Sequence, residues 1–297
     1  MPGNQKTNNY FPKISSIFGW LKNLKNKSSL LLKLIKIRCP FEIIKYQMKS
    51  IFFYLLVYPM TRVVLGNKRA ENIYNYLLKF DSLKILPLPP PLKSKIILFS
   101  EPLIYYDIYF KDIYHRELIK NGMSIIDIGV HIGLYTVLAA EKVGNTGKII
   151  AIEPEPQNYK QLLENIKLNS FRNVIPVNCG LGIRNSLEKL YINPYKTCSH
   201  TFVLEKNGNY FIEVRVKTLD SLREELNLKK VDIIKIDTEG AEILVLKGAE
   251  KTLRANPSVK IIVAAEHYPG EAKEVCKFLN ERGFKTKVSK ENLVMTI

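Results

Sequence analysis

Residues 124–133 read S-I-I-D-I-G-V-H-I-G, and A-I-E-P-E-P follows at 151–156. The stretch 124–128 is a short, mostly β-branched apolar run with one acid, and Gly129 and Gly133 then fall four residues apart. That pattern predicts a buried strand, a tight turn, and a helix over 132–140. A second apolar run, 148–152, ends on Glu153. Strand, Gly turn, helix and a second strand closing on an acid about 20 residues later make a nucleotide-binding βαβ unit.

The residue types carry chemistry. Glycine at 129 permits a sharp turn with positive φ and lets a ligand approach the backbone. An acid at the tip of the second strand can accept both hydroxyls of a ribose. The G-x-G-x-x-G that would seat a pyrophosphate on the helix N-terminus is absent, which disfavours a nicotinamide oxidoreductase. The pattern is D-x-G-x-x-x-G with Asp127 inside it. An acid there repels phosphate and attracts an ammonium group, so the expected ligand is a nucleoside carrying an amino acid.

This is the pattern of S-adenosylmethionine (SAM) methyltransferases, and the chain resembles the FkbM family on three blocks. They are I-D-I-G-V-H-I-G-L-Y-T at 126–136, I-E-P-E-P at 152–156, and T-L-D-S-L at 218–222 with I-I-K-I-D-T-E-G-A-E at 233–242 running on into V-L-K-G-A at 245–249. The resemblance spans 105–288 and implies a class I, Rossmann-like fold: a doubly wound, mostly parallel sheet of seven strands, one antiparallel near the edge. It also implies S-adenosyl-L-methionine as methyl donor and hydroxyls of glycans or secondary metabolites as acceptors. His131 stands where the family more often carries Asn.

The charge is unevenly distributed. Residues 1–95 hold 17 Lys and Arg against 3 Asp and Glu, whereas 96–297 hold 28 against 25. Two segments with different surroundings are expected, a basic, amphipathic helical segment over 1–95 and the methyltransferase domain over 96–297. Ile14, Ile17, Phe18, Leu21 and Leu24 recur at helical spacing beside lysines, and 30–37 continues the theme. The most hydrophobic run, I-F-F-Y-L-L-V at 51–57, is far shorter than the about 20 residues a membrane span needs. The segment reads either as a helical cap with solvated lysines or as a peripheral contact with an anionic membrane surface. Nucleic acid is the weaker partner, since the apolar faces suit lipid or protein better than phosphate. Residues 1–12 are polar with no signal-peptide core close behind, and four scattered cysteines suggest a reducing compartment. The expected location is cytoplasmic, peripheral to the membrane if the basic segment binds it.

Along the chain, 72–80 reads as a helix and P-L-P-P-P at 87–91 as a stiff linker. Strands are expected over 95–99 and 103–110 and a helix over 114–120. Then follow a helix at 158–169, a strand at 173–179, hairpin runs at 187–192 and 210–216, and a loop at 193–200 of the kind that covers a site. A helix at 219–226, a strand at 231–237, a helix at 241–254, a strand at 259–265, a helix at 271–281 and a closing hairpin complete the domain.

Ligands of open α/β sheets lie beyond the carboxyl ends of the strands. The cofactor candidates are Asp127, Gly129, His131, Gly133, Glu153, Asn178 and Asp237. Catalytic candidates are Asp237, Glu239 and His267, with His267 and Asp237 as alternatives for a general base. His200 and Glu266 are candidates for the acceptor. Glu239 and Glu242 also suit the first turn of a helix without any catalysis. A divalent metal near Asp237, Glu239 and Glu266 suits hard carboxylates, but no ligand spacing demands one and none is assigned. The rival to an enzyme is an adaptor that binds SAM without turning it over.

Overall fold

The computed structural model describes residues 84–88, 91–98, 102–193, 197–202, 210–289 and 292–297. The helices read over 14–37 and 72–80, and the apolar run at 51–57, lie outside those residues. In chain order, β1 (Lys84–Pro87) and β2 (Lys95–Leu98) precede α1 (Pro102–Tyr109). β3 (Ser124–Ile128), α2 (Leu134–Val143), β4 (Lys148–Ile152), α3 (Pro156–Leu168) and β5 (Val174–Val177) then alternate. Three strands follow, β6 (Gly180–Leu181), β7 (Ser186–Tyr191) and β8 (Phe211–Lys217). The chain continues through α4 (Leu219–Glu225), β9 (Ile233–Ile236), α5 (Glu242–Lys247), α6 (Glu250–Ala255) and β10 (Lys260–Ala264). It ends with α7 (Glu271–Asn280), β11 (Thr286–Val288) and β12 (Leu293–Thr296).

The main sheet has the order β11-β12-β10-β9-β3-β4-β5, and every pairing is parallel except those of β12. This is the seven-stranded, doubly wound arrangement expected from the sequence. Its central strands are apolar on both faces because helices cover both, the usual state of a parallel sheet. Ile126, Ile128, Ile150, Ile152, Ile234, Ile236 and Val263 share one core with residues of α4 to α7. The alternate residues Asp127 and Lys235 point to the other face. From β3 the chain steps to β4 and β5 on one side, then crosses to β9 and β10 on the other. The strand order therefore reverses between β3 and β9, the place where such sheets bind ligands.

Several local readings need correction. The run at 103–110 is the helix α1, not a strand: Tyr105 and Tyr109 sit one turn apart with ring centroids 4.6 Å apart, and Tyr109 Oη donates to the carbonyl of Leu134 at 2.7 Å. The helix expected at 114–120 shrinks to a 3-10 turn at Arg116–Leu118, because Asp112 and His115 take left-handed φ values of 56° and 54°. Pro87 ends β1 rather than opening a linker, and Leu88 N–H donates to Ser94 O inside the β1–β2 hairpin. Glu141 accepts the backbone N–H groups of Lys93 and Ser94, and Asn165 of α3 pairs with both backbone groups of Ile97. The hairpin thus belongs to the compact unit that begins at Leu83.

The helix expected over 241–254 breaks in two at Gly248. A Cβ there would stand 2.0 Å from the carbonyl oxygen of Gly182, so only glycine allows this close approach. Thr218 caps α4 through Ser221 N–H, while the Asp220 carboxylate accepts the N–H groups of Lys251 and Thr252. The T-L-D-S-L and V-L-K-G-A blocks are therefore locked to each other as structure.

Candidate active site

The tips of β3 and β4 form one side of the site. Gly129 turns the chain with φ 72°, and its N–H and that of Val130 donate to Ile152 O. A Cβ at 129 would lie 1.8 Å from the carbonyl oxygen of Asp237, so this glycine also lets the β9 tip approach. His131 follows with φ 55°, and its N–H donates to Glu153 Oε2 at 2.8 Å. Its Nε2 lies 2.7 Å from Thr197 Oγ1, while Nδ1 is buried with no hydrogen-bond partner among the described residues. Burial, with His200 and Lys235 nearby, drops the imidazole to about 3, so the ring is neutral. Gly133, with φ 91°, opens α2.

Glu153, at the end of β4, is only 5% exposed. Its carboxylate accepts the N–H of Glu155 at 3.1 Å as well as that of His131, with Asn158 Nδ2 at 3.5 Å. Burial outweighs these donors and pushes the carboxyl up to about 8. The adjoining cleft is lined by Gly129, His131, Glu153, Asn158, Thr197, His200, Asp237 and Glu239, with Ile128, Ile152 and Leu181 among its apolar walls.

Behind the turn, Asp127 and Lys235 are Cα partners across β3 and β9. The Asp127 carboxylate, wholly buried, accepts Thr136 Oγ1–H at 2.6 Å and stands 3.4 Å from Lys235 Nζ. Lys235 also donates to Gly129 O at 3.0 Å and lies 3.8 Å from Asp237 Oδ2. The ammonium that the sequence led one to expect beside Asp127 is thus supplied by the protein itself.

The tips of β9 and β10 form the other side. Asp237 N–H donates to Ile128 O, and Asp237 Oδ2 accepts the Tyr114 hydroxyl at 2.6 Å. Asp237 Oδ1 and Glu239 Oε1 lie 3.7 Å and 3.8 Å from His267 Nε2. On the other edge of the ring, Nδ1 faces Glu242 Oε1 at 3.3 Å and Glu271 Oε2 at 3.5 Å. Burial alone would lower His267, but Glu242, Asp237 and Glu239 hold its charged form and raise it to about 9. Buried Glu242 is held low despite burial by its bonds to His267 and Glu271, while burial and Glu242 push Glu271 up. Glu242 also accepts the N–H groups of Thr238 and Gly240, clamping the turn in which Glu239 takes a left-handed φ of 56°.

The structure therefore gathers Gly129, His131, Glu153, His200, Asp237 and Glu239 around one cleft, with His267 against its acidic end. His200 Nδ1 accepts the N–H of Asn193. Asp127 and Gly133 are not in the lining, and exposed Asn178 turns its amide to the carbonyls of Glu153 and Pro154. Glu266 is exposed and outside the lining. Tyr114, Lys235 and Glu271 escaped the sequence reading. A lysine inside an apolar strand was a visible signal for Lys235, and the i,i+4 spacing from His267 was one for Glu271.

Residues 127–286 match the family described as the Methyltransferase FkbM domain. "Methyltransferase 1" of Beauveria bassiana is 28% identical over 166 residues, covering 50% of this chain and 66% of that protein. "Hexuronic acid methyltransferase AglP" of Haloferax volcanii is 28% identical over 169 residues, 56% of this chain and 65% of that protein. The matched regions span about two thirds of the length of these curated relatives. A solved SAM-dependent methyltransferase from Aquifex aeolicus is 17% identical with a TM-score of 0.41, covering 64% of this chain and 89% of that one.

Proposed function

The chain belongs to the FkbM methyltransferase family, and from that premise we propose that it methylates a hydroxyl of a glycan with S-adenosylmethionine as donor. The observation that carries the reading is Glu153, a buried carboxylate at the tip of β4, beside a glycine turn and facing an open cleft. Its pairing with the hydroxyls of a ribose would supply the partners that burial denies its charge. His131 Nδ1, buried without a partner among the described residues, adds a second polar atom for a ligand. The residues present thus fit the cofactor, which when bound supplies an electrophilic methyl group on a sulfonium.

Gly129, the His131 backbone and Glu153 would hold the nucleoside end, with Asp237 toward the amino-acid end. Asp127, Gly133 and Asn178 support this cradle from behind, through Lys235, the start of α2 and the 153–154 loop. Most of the rate should come from aligning acceptor oxygen and methyl group. A carboxylate of the β9 tip would take the proton of the acceptor hydroxyl as that oxygen is methylated. Against the effect of burial, Glu242, Asp237 and Glu239 raise His267 to about 9, which favours a carboxylate over the imidazole as that base and lets the ring offset the charge of Asp237 and Glu239.

The name of the Haloferax volcanii relative supports a sugar acceptor, with His200 on the cleft as the group to meet it and Glu266, exposed outside the lining, as a contact for any part of the acceptor that reaches it. Among the described residues no helix is long and apolar enough to cross a membrane. The basic composition of residues 1–95 supports attachment to an anionic surface, which suits a lipid-linked glycan.

Calorimetric titration of the full chain with SAM and with S-adenosylhomocysteine, repeated on Glu153→Ala, tests the cofactor site. Micromolar binding in the wild type and its loss in the variant are expected. Labelled methyl transfer to uronic-acid-containing glycans tests the acceptor, and transfer to non-sugar hydroxyls alone would overturn the glycan reading.

A further inference from the structure

We propose that Asp237, Glu239 and His267 form a divalent-cation site at the tips of β9 and β10, and that the cation holds two neighbouring oxygens of the methyl acceptor. The inference rests on the methyltransferase reading for the acceptor but not for the ion. One ligand atom from each of the three residues lies within 4.8 Å of the others. The separations of 3.7 Å and 3.8 Å from His267 Nε2 to Asp237 Oδ1 and Glu239 Oε1 are too long for hydrogen bonds. Ligands of one octahedral ion with bonds near 2.1 Å stand about 3.0 Å apart when adjacent and about 4.2 Å apart when opposite. Taking adjacent positions on one ion shortens each of the two separations from His267 by about 0.7–0.8 Å, a movement of side-chain torsions rather than of the backbone.

The far edge of the imidazole gives an independent reason. A metal-ligating histidine usually directs its second nitrogen to a carboxylate, which fixes the ring and strengthens it as a donor. His267 Nδ1 faces Glu242 Oε1 at 3.3 Å and Glu271 Oε2 at 3.5 Å, and both carboxyl groups are fully buried. Glu242 at the same time clamps Thr238 and Gly240, so one side chain orients the histidine and fixes the turn carrying Glu239. Such a backing is more than a pair of surface acids requires. On entry of the ion, Nε2 gives up its proton to solvent and the cation takes its place.

Two oxygens and one nitrogen suit Mn²⁺ or Mg²⁺ and leave about three coordination positions open. Asp237 and Glu239 line the cleft, so those positions face the space where an acceptor enters. A sugar with vicinal hydroxyls, or a hydroxyl beside a carboxylate, fills two of them and is thereby aligned.

Mn²⁺ titration of the full-length protein, followed by electron paramagnetic resonance without SAM or acceptor, reads the ion site alone. The wild type should bind one Mn²⁺. Glu239→Gln should weaken it about a hundredfold and Glu271→Gln about tenfold, the scale of an outer-shell loss, while SAM affinity stays unchanged in both. A sugar with vicinal hydroxyls should then alter the bound-Mn²⁺ spectrum, and its deoxy analogue should not. Wild-type protein that binds SAM yet leaves all Mn²⁺ free would overturn the ion site, as would Glu239→Gln binding Mn²⁺ like the wild type. An unchanged spectrum with the sugar would overturn the chelation of the acceptor. SAM binding is measured separately, so a failure of the methyltransferase reading is distinguishable from either result.

Discussion

Where β3 and β4 end, backbone geometry shapes the cleft; where β9 and β10 end, ionised side chains do. On the first side, left-handed positions at Gly129, His131 and Gly133 turn the chain, and the His131 N–H donates to one carboxylate, Glu153. On the second, Asp237, Glu239 and Glu242 surround His267, while Lys235 ties Asp237 to Asp127. The first side tolerates little change in shape and the second little change in charge. That is a sensible division if one side holds an invariant cofactor and the other an acceptor whose proton must leave.

Gly129 is where the two sides meet, so the largest effect should come from Gly129→Ala. Its Cβ would sit 1.8 Å from the Asp237 carbonyl, on a backbone at φ 72°. Left-handed strain and overpacking together should cost roughly 4 kcal/mol of stability, and SAM binding should be lost. Denaturant unfolding and calorimetry check this. An alanine variant as stable as the wild type would show that the two tips are not in contact.

Lys235→Met probes the charged side alone. With the ammonium gone, Asp127 keeps a buried charge backed by Thr136 alone among the described hydrogen bonds to its carboxylate, and stability should fall by about 3 kcal/mol. Adding Asp127→Asn should recover much of the loss, because the uncompensated charge disappears with it. A double-mutant cycle with no coupling would mean that the pair contributes nothing beyond its packing.

The two sides also differed in how far the sequence revealed them. Gly129 and Glu153 were legible because strand period, turn chemistry and the acid at a strand end are local marks within some 30 residues of chain. The charged side is assembled from distant segments. Tyr114 reaches Asp237 across 123 positions of sequence, and Glu271 looked like no more than an acid in the first turn of a helix. Lys235 stood out as a charge in an apolar strand, but its partner followed only from the register that sets it opposite Asp127. The tyrosines of α1 were misread because an aromatic and β-branched run scores as strand by composition. Their spacing of four was the better guide, since it lets both rings bury on one face.

Glu153→Gln sharpens the contrast most finely, because stability and binding should move in opposite directions. Burial raises the folded carboxyl to about 8 from 4.5. The folded state therefore holds a proton that the unfolded state has released. The stability linked to that proton is fully present below 4.5 and is lost as pH rises through about 8. Glutamine keeps a neutral side chain throughout, so above about pH 8 the variant without ligand should be more stable than the wild type, on the order of 2 kcal/mol, and below about pH 4.5 that advantage should vanish. SAM affinity should meanwhile fall about tenfold to a hundredfold, since a charge-assisted pair with the ribose hydroxyls is replaced by a neutral one. Thermal unfolding across this pH range, paired with calorimetry near pH 8, measures both. If glutamine lowered stability at high pH, Glu153 would be a structural carboxylate satisfied by the N–H groups of His131 and Glu155. The shaped side of the cleft would then lack the strained group that makes it a binding site.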